Sequence, residues 1–227
     1  MKEGPLLFNI PDVPAHVTYA VVASGILIGL AIATRLTLKK KDAPTGFQNF
    51  MEVLIGGLED FVVEIMSPEG RHYFTLIAGL FLFILVGNLL GLLPGFDSPT
   101  GNLNTTLALA LVSFTATHYI GLRRHGIGYV KHFMGPMWAL APIMFIIEVI
   151  SHLARVLSLS FRLFGNMVAK HKLLLVLALL SPYIAPIPIL GLGLLVAVVQ
   201  AGVFTLLTML YLSGSIEQAH IGGADHH

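Results

Sequence analysis

A polar face on a long apolar stretch contains the residues whose types and spacing could do chemistry. Polar side chains recur every three or four residues within the apolar region from 133 to 216. At about 100° per residue, these positions lie within roughly 40° of residue 162 on a helix. The polar members of this face are Glu148, Ser151, Arg155, Ser158, Arg162 and Asn166. A charge at the centre of a membrane helix costs roughly 2.5 to 3.5 kcal/mol, so we expect this face to meet another protein or a hydrated ion path rather than lipid.

The charges on this face do not balance. Glu148 is the only carboxylate between Asp97 and Glu217. Arg155 lies two turns from Glu148 and is its expected internal partner, although a direct role is equally open. Arg162 then lacks an anion, and we predict that another subunit supplies one. From position alone, Arg162 could also form a structural ion pair or reach the membrane interface.

Residues four positions apart on this face predict local hydrogen bonds. Ser158 and Asn166 each lie one turn from Arg162. Ser151 lies one turn from Arg155. Such pairs are neighbours on a helix surface. Each serine could instead donate to the backbone carbonyl four residues earlier.

The composition identifies the class of protein. Of 227 residues, 56% are hydrophobic and only 11% are charged, whereas soluble domains carry roughly 25% charged residues. This is an integral membrane protein. A net charge of +1 gives no reason to expect nucleic-acid binding. Cysteine is absent, and no GxxxxGK[ST], HExxH or GxSxG motif occurs. The sequence therefore predicts neither a cofactor, nor a metal site, nor catalysis by this chain.

The predicted fold is an all-α membrane protein with a single domain over residues 1–227. Five apolar segments are long enough to cross a bilayer. They are residues 17–38, 73–96 and 103–122, followed by a helical hairpin of 137–181 and 184–212. Segment 47–66 has apolar residues at helical spacing and an acidic opposite side, which predicts an amphipathic helix on the surface.

Helix length and loop charge predict the arrangement in the membrane. Residues 142–180 would span about 57 Å as a helix, against a hydrocarbon core of roughly 30 Å, so the hairpin must be strongly tilted. Basic residues mark the cytoplasmic side. They are Lys39, Lys40, Lys41, Arg123, Arg124 and Lys131. The N-terminal segment 1–16 is then expected outside and the tail 213–227 in the cytoplasm.

One amide interrupts the last apolar helix. Gln200 lies near its middle, with Gly193 and Tyr211 within about 20° around the helix. A buried amide needs hydrogen-bond partners, and the polar face of the preceding helix could supply them. Simple interhelical bonding is an alternative to a functional role for Gln200 and Asn166.

Four stretches together resemble the subunit a family of F-type ATP synthases. They read "RLFGN", "GNLLGLLPG", "PTGNLNTTLALAL" and "VVQAGVFTLLTMLYLS", and the resemblance covers nearly the whole chain. It implies a multi-pass subunit of a bacterial plasma (inner) membrane that forms two offset proton half-channels. The implied partners are a ring of c subunits with membrane-buried carboxylates, a b-type peripheral stalk and the lipid bilayer. ATP chemistry would occur in other subunits.

The resemblance also assigns roles by position. Arg162 would be the essential arginine, Asn166 its neighbour and Gln200 their partner on the last helix. The residues matching the cytoplasmic half-channel are Glu148, Ser151 and Ser158, with Arg155 and Tyr211 in support. His171 would line the outer half-channel. The family commonly pairs an acid with a histidine there, but here Gly193 is expected opposite His171 and the acid is missing.

Two other functions were considered for this chain, and several charged or histidine side chains have simple structural explanations. A stand-alone secondary transporter is the main alternative, although five spans without a repeat disfavour it. An intramembrane hydrolase is also disfavoured, because the sequence lacks the motifs that such enzymes need.

His152 is expected to pack between helices or to lie at a solvated edge. Lys170 and Lys172 are expected to be interfacial anchors, and His118 lacks metal-ligand spacing.

Overall fold

The computed structural model describes residues 13–37, 46–93, 96–125, 141–180 and 186–222. Within these ranges the regular structure is helical and no strand occurs, which confirms the all-α fold class. The helices are α1 (Ala15–Thr37), α2 (Phe47–Met66), α3 (Phe74–Leu90), α4 (Leu103–His125), α5 (Ala141–Leu180) and α6 (Pro186–Gly222). Two short 3-10 helices, Pro68–Tyr73 and Pro99–Gly101, precede α3 and α4.

In the described part of the chain, five helical segments are long and apolar enough to cross a membrane, as predicted. They are Ala15–Leu36, Pro68–Leu90, Leu103–Arg124, Ile143–Leu177 and Ile187–Ile216. Helix α2 is not among them, which agrees with its acidic face. The 40 residues of α5 span about 60 Å, twice the hydrocarbon thickness of roughly 30 Å.

Two helix ends differ from the prediction. Helix α3 ends at Leu90 rather than at Phe96, because Pro94 disfavours helix in the preceding residue. Helix α6 continues to Gly222 rather than ending at 212, since Leu212 and Ile216 still pack against the bundle. Several predicted features lie outside the described residues: segment 1–12, the lysines at 39–41, Lys131, residues 137–140, and positions 184, 185 and 223–227.

Two buried clusters form the core and together join five of the described helices, α2 to α6. The first cluster comes from α3, α4, α5 and α6 and contains Leu80, Ile84, Ala110, Val156, Leu159, Leu163, Ala201 and Phe204. A second cluster fixes α2 against α3 and α6 through Val62, Met66, Ile77, Met209 and Leu212. Small residues allow membrane helices to approach closely, and Ala110 and Ala201 are fully buried at these crossings.

Ion pairs show which helix ends lie together. Arg124, near the end of α4, pairs with Glu69 in the segment between α2 and α3. Arg71 of the same segment lies 3.0 Å from Glu59 of α2. The end of α4 and the start of α3 therefore share one end of the bundle, as an up-and-down arrangement of these spans requires.

Candidate functional site

Arg162 lies on an exposed flank of α5. Arg162, Ser158 and Asn166 are exposed, whereas the neighbouring Leu163 and Met167 are 0% and 1% exposed. Within the described residues, Arg162 forms no ion pair or hydrogen bond. The apolar face of α5 thus packs into the bundle and directs the arginine away from the rest of the described chain.

The structure brings the two amides of the hairpin together, as the sequence predicts. Asn166 Nδ2 on α5 donates to Gln200 Oε1 on α6 at 2.6 Å. Gln200 is only 4% exposed, and its Nε2 has no hydrogen-bond partner in the described part of the chain. A buried amide donor therefore lies beside Asn166, which is one helical turn from Arg162 on α5.

The local hydrogen bonds predicted along α5 are wrong. Across the described ranges, Ser151 and Ser158 make no side-chain hydrogen bond, either to an arginine or to a carbonyl four residues earlier. Asn166 bonds to Gln200 instead of to Arg162. The short Asn166 side chain reaches Gln200 on the facing helix directly. A hydrogen bond to Arg162 would instead require a long, exposed side chain to lose much of its conformational freedom.

The predicted ion pair between Glu148 and Arg155 is also wrong. Glu148 Oε1 lies 3.2 Å from His152 Nε2, because a residue four positions along is a neighbour on the helix whereas one seven positions along is not. The Arg155 guanidinium lies 4.8 Å from the centre of the Tyr211 ring on α6. Tyr211 therefore supports Arg155 through a cation–π contact.

A polar cleft between α4, α5 and α6 contains two histidines to which the sequence analysis gave no part in proton transfer. Its polar lining consists of Ser113, Thr117, His118, His152, Arg155 and Tyr211. The His118 and His152 rings meet edge to face with centroids 4.7 Å apart. His152 is buried, so its packing role is confirmed and a solvated edge is excluded.

Replacing Tyr211 tests the contact with Arg155. Tyr211→Leu removes the aromatic face and should lower stability by about 0.5 to 2 kcal/mol. Tyr211→Phe keeps the ring and should change it little. The measurement is the thermal midpoint of the purified assembly, repeated in an Arg155→Ala background, where the difference between the two variants should shrink. Equal losses for Phe and Leu would show that the hydroxyl, not the ring, matters.

A buried polar network joins α3 to α5, α6 and the loop before α4. Asn88 is fully buried, and its Nδ2 donates to the carbonyl of Ala197 at 3.3 Å. Thr100 Oγ1 donates to Asn88 Oδ1 at 2.6 Å, and Ser98 Oγ lies 2.7 Å from Thr100 Oγ1. Asn88 is the one polar residue of the segment 76–93, and that isolation is the signal that could have predicted this network.

Lys170 belongs to this network and is not an interfacial anchor. It is 9% exposed, and its Nζ donates to the Asn88 carbonyl at 3.4 Å. The prediction for Lys170 is therefore wrong, because it lies on the same buried face of α5 as Leu163 and Met167. Lys172 is exposed, as an anchor would be.

His171 does not face Gly193. Its Nε2 lies 3.1 Å from the Gly91 carbonyl, and its Nδ1 lies 3.9 Å from Asp97 Oδ1. A Cβ at Gly193 would instead lie 3.0 Å from Lys170 Cδ. The prediction that Gly193 faces His171 is therefore wrong, because the residue of α5 beside Gly193 is Lys170. The acid near His171 is Asp97, in the loop before α4.

Comparison with known proteins assigns the family. A family model described as "ATP synthase A chain" matches residues 17–213. "ATP synthase subunit a" of Geobacter sulfurreducens is 53% identical over 196 residues, which cover 86% of each chain. "ATP synthase subunit a" of Trichlorobacter lovleyi is 50% identical over 217 residues, covering 94% of this chain and 93% of that one.

Proposed function

This chain belongs to the ATP synthase A chain family, and on that premise we propose that it is the proton-translocating membrane subunit of a rotary F-type ATP synthase. The names of its bacterial relatives support this subunit over a stand-alone transporter. In this role the chain works beside a ring of c subunits and a b-type stalk in the inner membrane, with its N-terminus outside and its C-terminus in the cytoplasm. It performs no ATP chemistry itself.

The proposal rests on the exposure of Arg162 and on its lack of an anionic partner among the described residues. This permanent cation is exposed on α5 and has no anionic partner among the described residues. Charges within membrane helices are costly and usually meet an opposite charge. A carboxylate on a ring subunit moving past α5 would supply that charge.

The energetics of charge then give a mechanism. A ring carboxylate that faces lipid must be protonated, because the ionised form is expensive there. Beside Arg162 the ionised form is favoured, since a nearby cation stabilises it. The carboxylate therefore releases its proton on reaching the arginine and takes another before it leaves. The fixed charge of Arg162 also opposes the passage of protons straight between the two access paths.

Two groups of residues supply those paths. Glu148, Ser151 and Ser158 serve the cytoplasmic half-channel, and the polar cleft beside Arg155 adds His118 and His152 on that side. His171 serves the outer half-channel. Asn166 and Gln200 connect the outer path to the arginine. Gln200 Nε2, which has no hydrogen-bond partner among the described residues, can donate there to a water molecule or to the arriving carboxylate.

Crosslinking tests which flank of α5 meets the ring. Cysteine at Ser158 or at Asn166, which are exposed on the same flank as Arg162, should crosslink to a cysteine beside the ring carboxylate. Cysteine at Leu163, which is 0% exposed, is the matched control on the same helix and should not. The measurement is the yield of the crosslinked pair in native membranes. Crosslinks at 163 without crosslinks at 158 and 166 would contradict the proposal.

A further inference from the structure

We infer that Asp97 and His171 together form the proton entry site of the outer half-channel, with Asp97 supplying the carboxylate. The inference rests on the proposed function and deepens it. Asp97 lies in the loop between α3 and α4, and His171 lies in the second half of α5. Asp97 Oδ1 and His171 Nδ1 are 3.9 Å apart, and the two side chains are 28% and 37% exposed. The pair is thus open to solvent at its end of the bundle.

The hydrogen bonding of His171 identifies the nitrogen that would exchange protons. A carbonyl oxygen only accepts, so Nε2 donates to the carbonyl of Gly91 at 3.1 Å. Nδ1 is therefore the free position of the neutral ring, and it is the nitrogen that faces Asp97 Oδ1. A proton bound at Nδ1 would give the ring two N–H groups, one directed to the carbonyl and one to the carboxylate, either directly or through a single water molecule.

The loop holds the Asp97 carboxylate in place. Asp97 Oδ1 accepts a hydrogen bond from the backbone N–H of Ser98 at 2.8 Å. Ser98 Oγ in turn donates to the Gly87 carbonyl of α3 at 2.9 Å. The position of the carboxylate is therefore set by the packing of the loop on α3, as an entry site requires.

No other carboxylate in the described part of the chain lies within salt-bridge distance of His171. The charged neighbours on its own helix are Lys170 and Lys172, and the sequences of α3 and of α6 up to residue 216 contain no charge. The position where the family commonly has the second member of the pair is Gly193, which has no side chain, and a Cβ there would lie 2.7 Å from Leu92 Cδ2. Asp97 is thus the acid that the described chain offers.

The pair also has a polar connection inward. Ser98, next to Asp97, contacts Thr100, and Thr100 donates to Asn88. Lys170, next to His171, donates to the carbonyl of Asn88. Asn166 lies one helical turn from Lys170 and one turn from Arg162 on α5, and it bonds to Gln200 of α6. These polar groups mark the direction that protons accepted at Asp97 and His171 would take towards the arginine.

Asp97→Asn is the sharpest test, because the amide oxygen still accepts from Ser98 while the site loses its carboxylate. We expect passive proton flux through complexes stripped of their soluble part to fall at least about tenfold, with Asp97→Glu keeping most of it. His171→Gln should have a similar effect, and the double variant should lose little more, since both residues serve one step. Asp60→Asn, on an exposed acid of α2, is the control and should behave like the unmodified protein.

Acidifying one side of the membrane at a time distinguishes a role of Asp97 in proton entry from a purely structural role. Raising the proton concentration on the outer side should restore the flux of Asp97→Asn, whereas acidifying the cytoplasmic side should not. Normal flux in Asp97→Asn would overturn the inference, and so would a loss that outer acidification fails to restore. Either result leaves the proposed function standing if Arg162→Ala still abolishes pumping; if that variant pumps normally, the proposed function fails as well.

Discussion

We expect the replacement of Arg162 with alanine to abolish ATP-driven proton pumping in inverted membrane vesicles, while the complex still assembles. Assembly is expected to survive because Arg162 makes no hydrogen bond or ion pair within the described chain. Pumping is lost because the ring carboxylate then has no cation to stabilise its ionised form in the membrane. A penalty of roughly 2.5 to 3.5 kcal/mol for that charge corresponds to a loss of about a hundredfold in rate.

Two further variants make this result specific. Arg162→Lys keeps a positive charge but loses the planar, permanently charged guanidinium, and we expect it to restore little pumping. Lys172→Ala removes an exposed cation ten positions along the same helix and should leave pumping within about twofold. The alanine variant at 162 should also show a raised passive leak, since the barrier between the two paths is gone. Normal ATP-driven pumping by Arg162→Ala would disprove the proposed mechanism.

The sequence was sufficient to predict which side chains share a helix face and which buried polar group needs a partner. The spacing of the polar residues predicted that Arg162 and Asn166 share a face of α5, and both are exposed on one flank. Gln200 is the one amide of the predicted segment 184–212; it was therefore expected to need a partner across the hairpin, and Asn166 is that partner. In both cases a helical period of about 3.6 residues and the cost of a polar group in an apolar helix are enough.

Contacts between distant segments could not be predicted in the same way. Asp97 approaches His171 from a loop, and Arg155 meets Tyr211 on another helix. Helical spacing gives the direction of a side chain around its own axis, but neither the neighbour nor the offset along the axis. The predicted pairing of His171 with Gly193 failed for this reason.

The buried position of Lys170 could have been predicted from the sequence, although the usual rule for lysines near helix ends predicted otherwise. Long cationic side chains near helix ends usually reach for water, and that rule predicted an anchor. Lys170 lies three positions from Met167 and seven from Leu163, so all three share one helix face, and this face is buried. The periodicity of the apolar residues was thus a better guide to its position than its charge.

Gly91→Ala should damage both the fold and the outer entry site. Gly91 ends α3 with ordinary right-handed backbone angles, so its lack of a side chain is needed for space and not for conformation. A Cβ there would lie 2.6 Å from Ser98 Cβ and 3.3 Å from His171 Nε2. Because the Ser98 Cβ is fixed to the loop backbone, the loop must shift away from α3. Overpacking of this kind costs about 1 to 3 kcal/mol.

The same helix provides the control for Gly91→Ala. A Cβ at Gly79 would meet nothing within 4 Å, so Gly79→Ala should be neutral or should stabilise α3 by up to about 1 kcal/mol. The measurements are the thermal midpoint of the purified assembly and passive proton flux at several outer pH values. Gly91→Ala should lower both the midpoint and the flux, because the shifted loop carries Asp97 away from His171. An unchanged midpoint would show that the loop yields freely, and the entry site would then not depend on its packing against α3.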